Sequence, residues 1–192
     1  MDSIMTLFNK QIKDVLSDIN YNEPIIVNEP LSEVLDTYHL PTEAKLSCLM
    51  IDTAMNLLDS ISFDHTSKHS ILIGDLLSAH YYTILATFND LTFQKRMSEA
   101  IIKSNELKSY IHHHKLDTPT LINTIIEIET IFPQTAFQTF DVDYSQDVFL
   151  QLAYKRLTDY HPDYLNHLSD EAYQELIDVV SNDYIKVEGN KS

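Results

Sequence analysis

Glycine is almost absent from this chain: 192 residues carry two, Gly74 and Gly189. Hairpin turns, barrel corners and phosphate-cradling loops draw on glycine for positive φ angles. Gly189 lies in the polar end 187–192, so a folded body over residues 1–186 contains one glycine. That leaves an all-α single domain with short connections, a bundle of about seven or eight helices, followed by a polar tail at 187–192.

Helical periodicity agrees. Leu7, Phe8, Ile12, Val15, Leu16 and Ile19 recur at helical spacing over 2–19. Asn22-Glu23-Pro24 and Asn28-Glu29-Pro30 break the pattern, ahead of a short helix near Ser32–Tyr38. Pro41 opens a helix with a one-sided apolar series, Leu46, Leu49, Met50, Thr53, Leu57 and Ile61. The polar stretch at 64–68 is a loop or a helix start. From Ser70 to Phe88 almost no polar face remains, and a helix apolar all round is buried on all sides or docked against a partner. Gly74 inside it costs about 1 kcal/mol relative to alanine, so a close approach by a neighbouring helix is expected there. Asp75, in the same apolar element, should be paired if buried. A helix from Leu91 to His114 follows. Thr118 is the expected cap, with Pro119 in the first turn, of a helix to Ile131. Pro133 is expected to interrupt, leaving a short helix through Phe137 and Phe140. Ser145–Tyr160 is helical, Pro162 ends it, and Ser169 caps a last helix with Asp170 and Glu171 at its positive end.

Thirteen basic residues against twenty-nine acidic ones give a net charge of −16. Binding nucleic acid or an anionic membrane surface needs clustered Lys and Arg, so neither is an expected partner. A free diphosphate would also be repelled unless a metal or another chain supplied positive charge. One cysteine, Cys48, cannot form an internal disulfide, and a reducing, cytoplasmic compartment is expected. The start Met1-Asp2-Ser3-Ile4 shows no signal peptide, and no integral membrane segment of roughly eighteen apolar residues is expected.

Catalytic motifs are hard to find. Magnesium-diphosphate chemistry gathers several carboxylates on one helix face, because the cation takes oxygens from more than one side chain. Here Asp52, Asp59 and Asp64 are dispersed, and Asp52 and Asp64 read as solvated surface charge. Asp141-x-Asp143-x-Ser145-x-Asp147 resembles the opening of a calcium loop, but Gln146 replaces the turn glycine and Leu152 the bidentate glutamate. His65 and His69 have i, i+4 spacing without a supporting Glu. His112, His113 and His114 point different ways on a helix and suit its negative end. Cys48 reads as a small core residue. No nucleophile elbow, P-loop or dinucleotide fingerprint is present.

One stretch is more specific. Ile71-Leu72-Ile73-Gly74-Asp75-Leu76-Leu77-Ser78-Ala79-His80-Tyr81-Tyr82 resembles the Gly-Asp helix of trans-prenyltransferases, the all-α polyprenyl diphosphate synthases. Met50–Ile61 is similar to the helix carrying their first aspartate-rich motif, reduced here to Asp59 in Asp59-Ser60-Ile61-Ser62-Phe63. The paired arginines that follow in that family, and the second aspartate-rich motif, have no counterpart. Scaffold kept and chemistry lost resembles component I, the small subunit of heterodimeric heptaprenyl or hexaprenyl diphosphate synthases, which also shows a segment like Ala100–Tyr110. The resemblance implies a truncated isoprenoid-synthase fold, with no catalytic or metal residue and no cofactor on this chain. It implies a large subunit, component II, that carries the aspartate-rich motifs and Mg2+, with prenyl diphosphates bound at the shared site. The pair would elongate farnesyl diphosphate with isopentenyl diphosphate for the menaquinone side chain, and the small subunit would help set product length. Gly74, Asp75, Leu77, Ser78, Tyr81 and Tyr82 are the candidates for the interface or the product tunnel, Gly74 by allowing tight packing between subunits. The competing readings are a helical adaptor unrelated to prenyl chemistry and an autonomous short-chain prenyltransferase, against which the missing carboxylates argue.

Overall fold

The computed structural model describes residues 2–19, 21, 24–63, 68–145 and 147–189. Eight α-helices follow in order: α1 (Ile4–Val15), α2 (Glu29–Thr37), α3 (Thr42–Phe63), α4 (Lys68–Phe88), α5 (Leu91–His113), α6 (Thr118–Thr139), α7 (Asp147–Asp159) and α8 (Asp170–Gly189). A 3-10 turn, Asp163–Leu165, lies between α7 and α8, and no strand occurs among the described residues.

Side-chain caps explain several starts. Ser3, Asn28, Asp90, Asp117 and Ser169 each accept a hydrogen bond from a main-chain N–H of the first turn, at 2.9–3.2 Å. Two expectations change here. Asn28-Glu29-Pro30 begins α2 instead of breaking a pattern, since proline is tolerated where the first-turn N–H has no helical partner. Asp117, not Thr118, caps α6. α1 also stops at Val15, short of the expected residue 19.

The larger corrections concern depth. α3, expected to be one-sided, is buried without a break from Leu46 to Met55, because α1, α2, α4, α6 and the 3-10 turn all pack on it. α4, expected to be buried on all sides or buried on one and docked against a partner on the other, is covered within this chain on one side: Ile73, Leu77, Tyr81, Ile84 and Leu85 point inward. Ile71, Leu72 and Tyr82 are 40%, 47% and 53% exposed on the other side. Because Asp75 is the one charged residue in Ile71–Phe88, this window has a mean hydropathy of 1.3 and is long and apolar enough to cross a membrane by length and composition. No such stretch was expected. Pro133 does not interrupt α6, which runs through it to Thr139. Proline in a helix interior costs about 3 kcal/mol, offset here by burying Phe132, Pro133, Ala136 and Phe137 together.

Two apolar clusters result. One joins α1 to α5 with the second half of α6 and the start of α7, and the other joins the ends of α5 and α7 with the start of α6, the 3-10 turn and α8.

Candidate functional site

Where the two clusters meet, the interior is polar. Asp52 and Asp59 lie two turns apart on α3, a spacing that puts them on one face. Asp59 Oδ2 accepts from Lys108 Nζ of α5 at 2.5 Å, with side chains 16% and 9% exposed. Asp52, expected at the surface, is 8% exposed and accepts from Asn56 Nδ2 at 3.1 Å. It is buried because α3 is covered on every side. Glu129 of α6 accepts from the Tyr164 hydroxyl at 2.6 Å and lies 3.7 Å from Arg156 Nε of α7. The Arg156 guanidinium also stacks over Tyr160, 4.3 Å from the ring centroid. Tyr160 in turn donates to Asp163 at 3.0 Å.

The electrostatics follow from burial. Three carboxylates, Asp52, Asp59 and Glu129, face two cations, Lys108 and Arg156. Desolvation pushes all three carboxyls above their ordinary values, and the nearby positive charges offset this only in part. The cavity among Asp52, Lys108, Glu129 and Tyr164 is about 10 Å3, room for about one water. A diphosphate does not fit there, and Asp59 is already held by an ammonium. Composition gave no sign of this centre. The residues come from four helices and a turn, and a single chain's spacing does not report their convergence.

The candidates on α4 divide by face. Gly74 packs on this chain's own α3: a Cβ there would lie 2.8 Å from Leu58 Cγ and Cδ2 and 3.5 Å from the Ala54 carbonyl oxygen. The close approach is therefore internal, and the expected role of Gly74 between subunits is corrected. Leu77 and Tyr81 are fully buried in this chain's core, so neither is open to a partner or a prenyl tail as expected. The Tyr81 hydroxyl is buried without a hydrogen-bond partner among the described residues. Ser78 is half-buried. Asp75 is exposed, so it needs no buried partner, and with Tyr82 it joins the outward face carrying Ile71, Leu72 and Ala79.

Other candidates resolve plainly. Cys48 is fully buried, its Sγ 3.5 Å from the Phe132 carbonyl oxygen, and burial pushes its thiol far above the usual range. Asp64 and His65 lie outside the described residues, as does Gln146 of the calcium-like stretch. His113 and His114 donate through Nδ1 to the carbonyls of Ser109 and Tyr110 at 2.8 and 3.1 Å, closing the last turn of α5.

Residues 2–134 match a family model described as HexPS-like, hexaprenyl diphosphate synthase, small subunit. The chain belongs to that small-subunit family. The match includes Asp52, Asp59, Lys108 and Glu129 and stops before Arg156 and Tyr164. A crystal structure of heptaprenyl diphosphate synthase from Staphylococcus aureus superposes with a TM-score of 0.78 and 38% identity, covering 95% of this chain and 97% of that one. No protein of curated function matches it. This small-subunit sequence thus has a prenyl-synthase-type helical fold along nearly its whole length.

Proposed function

We propose that this chain is the non-catalytic subunit of a cytoplasmic, two-component trans-polyprenyl diphosphate synthase of the heptaprenyl type. With a large subunit that carries the aspartate-rich motifs and Mg2+, it supports elongation of farnesyl diphosphate by isopentenyl diphosphate, to supply the menaquinone side chain. One observation carries the reading. Asp59, the remnant of the aspartate-rich motif, is neutralised from within by Lys108, and Lys108 with Asp52 and Glu129 encloses a cavity of only about 10 Å3. A metal-bridged diphosphate needs several free carboxylates and an open cleft, and this centre offers neither.

The outward apolar face of α4 is the surface for the large subunit. Ile71, Leu72 and Tyr82 are large apolar side chains exposed on that face, with Asp75 between them, of the kind that interfaces bury. The influence on product length then acts through that contact, by holding the large subunit's tunnel in shape, and not through Leu77 or Tyr81. Chain elongation assayed with each purified subunit and with the mixture tests the proposal. Long-chain product is expected from the mixture alone. Full activity of the large subunit by itself, unchanged when this chain is added, would overturn it, as would turnover by this chain alone.

A further inference from the structure

Beside the outward face of α4 the surface dips into a hollow of about 230 Å3 between α1, α3 and α4. Pockets that enclose drug-sized molecules run to about 300–1,000 Å3, so this one has the size for a single long side chain. Its floor is apolar, made by the buried Leu46 of α3 and Ile84 of α4. Its rim is polar: Gln11 of α1, Glu43 from the first turn of α3, and His80, Thr83 and Thr87 of α4.

The rim has spent most of its donors. Thr83 Oγ1 donates to the Ala79 carbonyl at 3.2 Å and Thr87 Oγ1 to the Thr83 carbonyl at 2.9 Å, so each hydroxyl oxygen can only accept a further bond. His80 Nε2 donates to Gln11 Oε1 at 2.9 Å, which ties α4 to α1 beside the hollow and leaves the Gln11 NH2 as a donor. Glu43 is exposed, accepts only when ionised, and takes part in none of the ion pairs among the described residues. An apolar floor under an acceptor-rich rim matches a side chain with an aliphatic stem and a donor-only head, which is lysine or arginine. Among the described residues, no Lys or Arg of this chain lines the hollow.

Thr83 follows Tyr82 directly and lies one turn beyond Ala79, all three exposed, so the hollow continues the outward face of α4. We propose that it receives one basic side chain of the large subunit, with the stem on Leu46 and Ile84 and the charge at Glu43. This rests on α4 being the face that meets the large subunit, and it adds the kind of residue that the partner brings. The net charge of −16 acts in the same sense, drawing a basic patch toward this chain.

Calorimetric titration of the full chain with the purified large subunit, at low and at high salt, tests the proposal. Thr83→Trp fills the hollow from an exposed position and should weaken binding by more than about 10-fold. Glu43→Gln removes the charge at nearly constant shape and should weaken it about 5-fold at low salt, with the gap to the parent closing at high salt. Unfolding temperatures equal to the parent's show that both variants are folded. Leu72→Glu separates the two claims. If it weakens binding while Thr83→Trp and Glu43→Gln bind as the parent does, the hollow is overturned and the α4 interface stands. If none of the three weakens binding, the α4 interface fails and the hollow with it. A loss in Thr83→Trp with none in Glu43→Gln gives the hollow an uncharged occupant, which also overturns the proposal.

Discussion

At Gly74 two effects oppose each other. Alanine is the better helix former by about 1 kcal/mol. A methyl group there, however, meets Leu58 Cγ at 2.8 Å, and overpacking of this kind costs about 1–3 kcal/mol. Packing wins because the obstacle includes the leucine's branch point, Cγ, as well as its Cδ2 methyl, both at 2.8 Å. Gly74→Ala should therefore lower stability by about 1 kcal/mol, read as a lower urea midpoint at unchanged m-value. A gain would mean that Leu58 moves aside freely. Gly74 also shows what a sequence can and cannot say. That a helix must approach closely was legible from a glycine inside an apolar run, but which helix was not. The pattern marks the need for space without naming the neighbour.

Between elements, the same limit explains the exchange of roles between α3 and α4. Both are apolar, and periodicity ranks α4 as the more covered. Burial depends on how many neighbours pack around an axis, and five elements surround α3. Once α3 is central, Asp52 becomes an interior charge whatever its local context. Helix number and order were legible because caps, prolines and spacing are local signals. The continuous α6 was not, because a proline's local cost was set against packing that only the folded chain supplies. On α4 the two faces predict opposite phenotypes. Leu77→Ala removes a fully buried side chain and should cost about 2–5 kcal/mol of stability. Leu72→Glu, on the outward face, should leave the unfolding temperature of the free subunit nearly unchanged and weaken capture of the large subunit by about 30-fold. Undiminished capture in a pull-down or calorimetric titration would move the interface off α4.

Across the whole molecule, acidity and burial act in the same direction. The native state raises the pKa of Asp52, Asp59 and Glu129 by desolvation, so between the ordinary carboxylate range and those elevated values it binds more protons than the unfolded chain. Stability is then greatest below that window and is lost as pH rises through it. The net charge of −16 adds self-repulsion on the same side. Thermal unfolding followed from about pH 5 to about pH 8 should show a falling midpoint, with a shallower fall in Asp52→Asn. Parallel curves for parent and variant would assign the slope to surface repulsion. The Lys108–Asp59 contact also bears on any effort to redesign this subunit as a self-sufficient synthase. Carboxylates grafted beside Asp59 would gather around a resident ammonium, which already occupies the coordination space and supplies the counter-charge meant for magnesium. A designer would have to remove Lys108 before adding a single aspartate, and would then have to carve room for the substrate out of a packed interior.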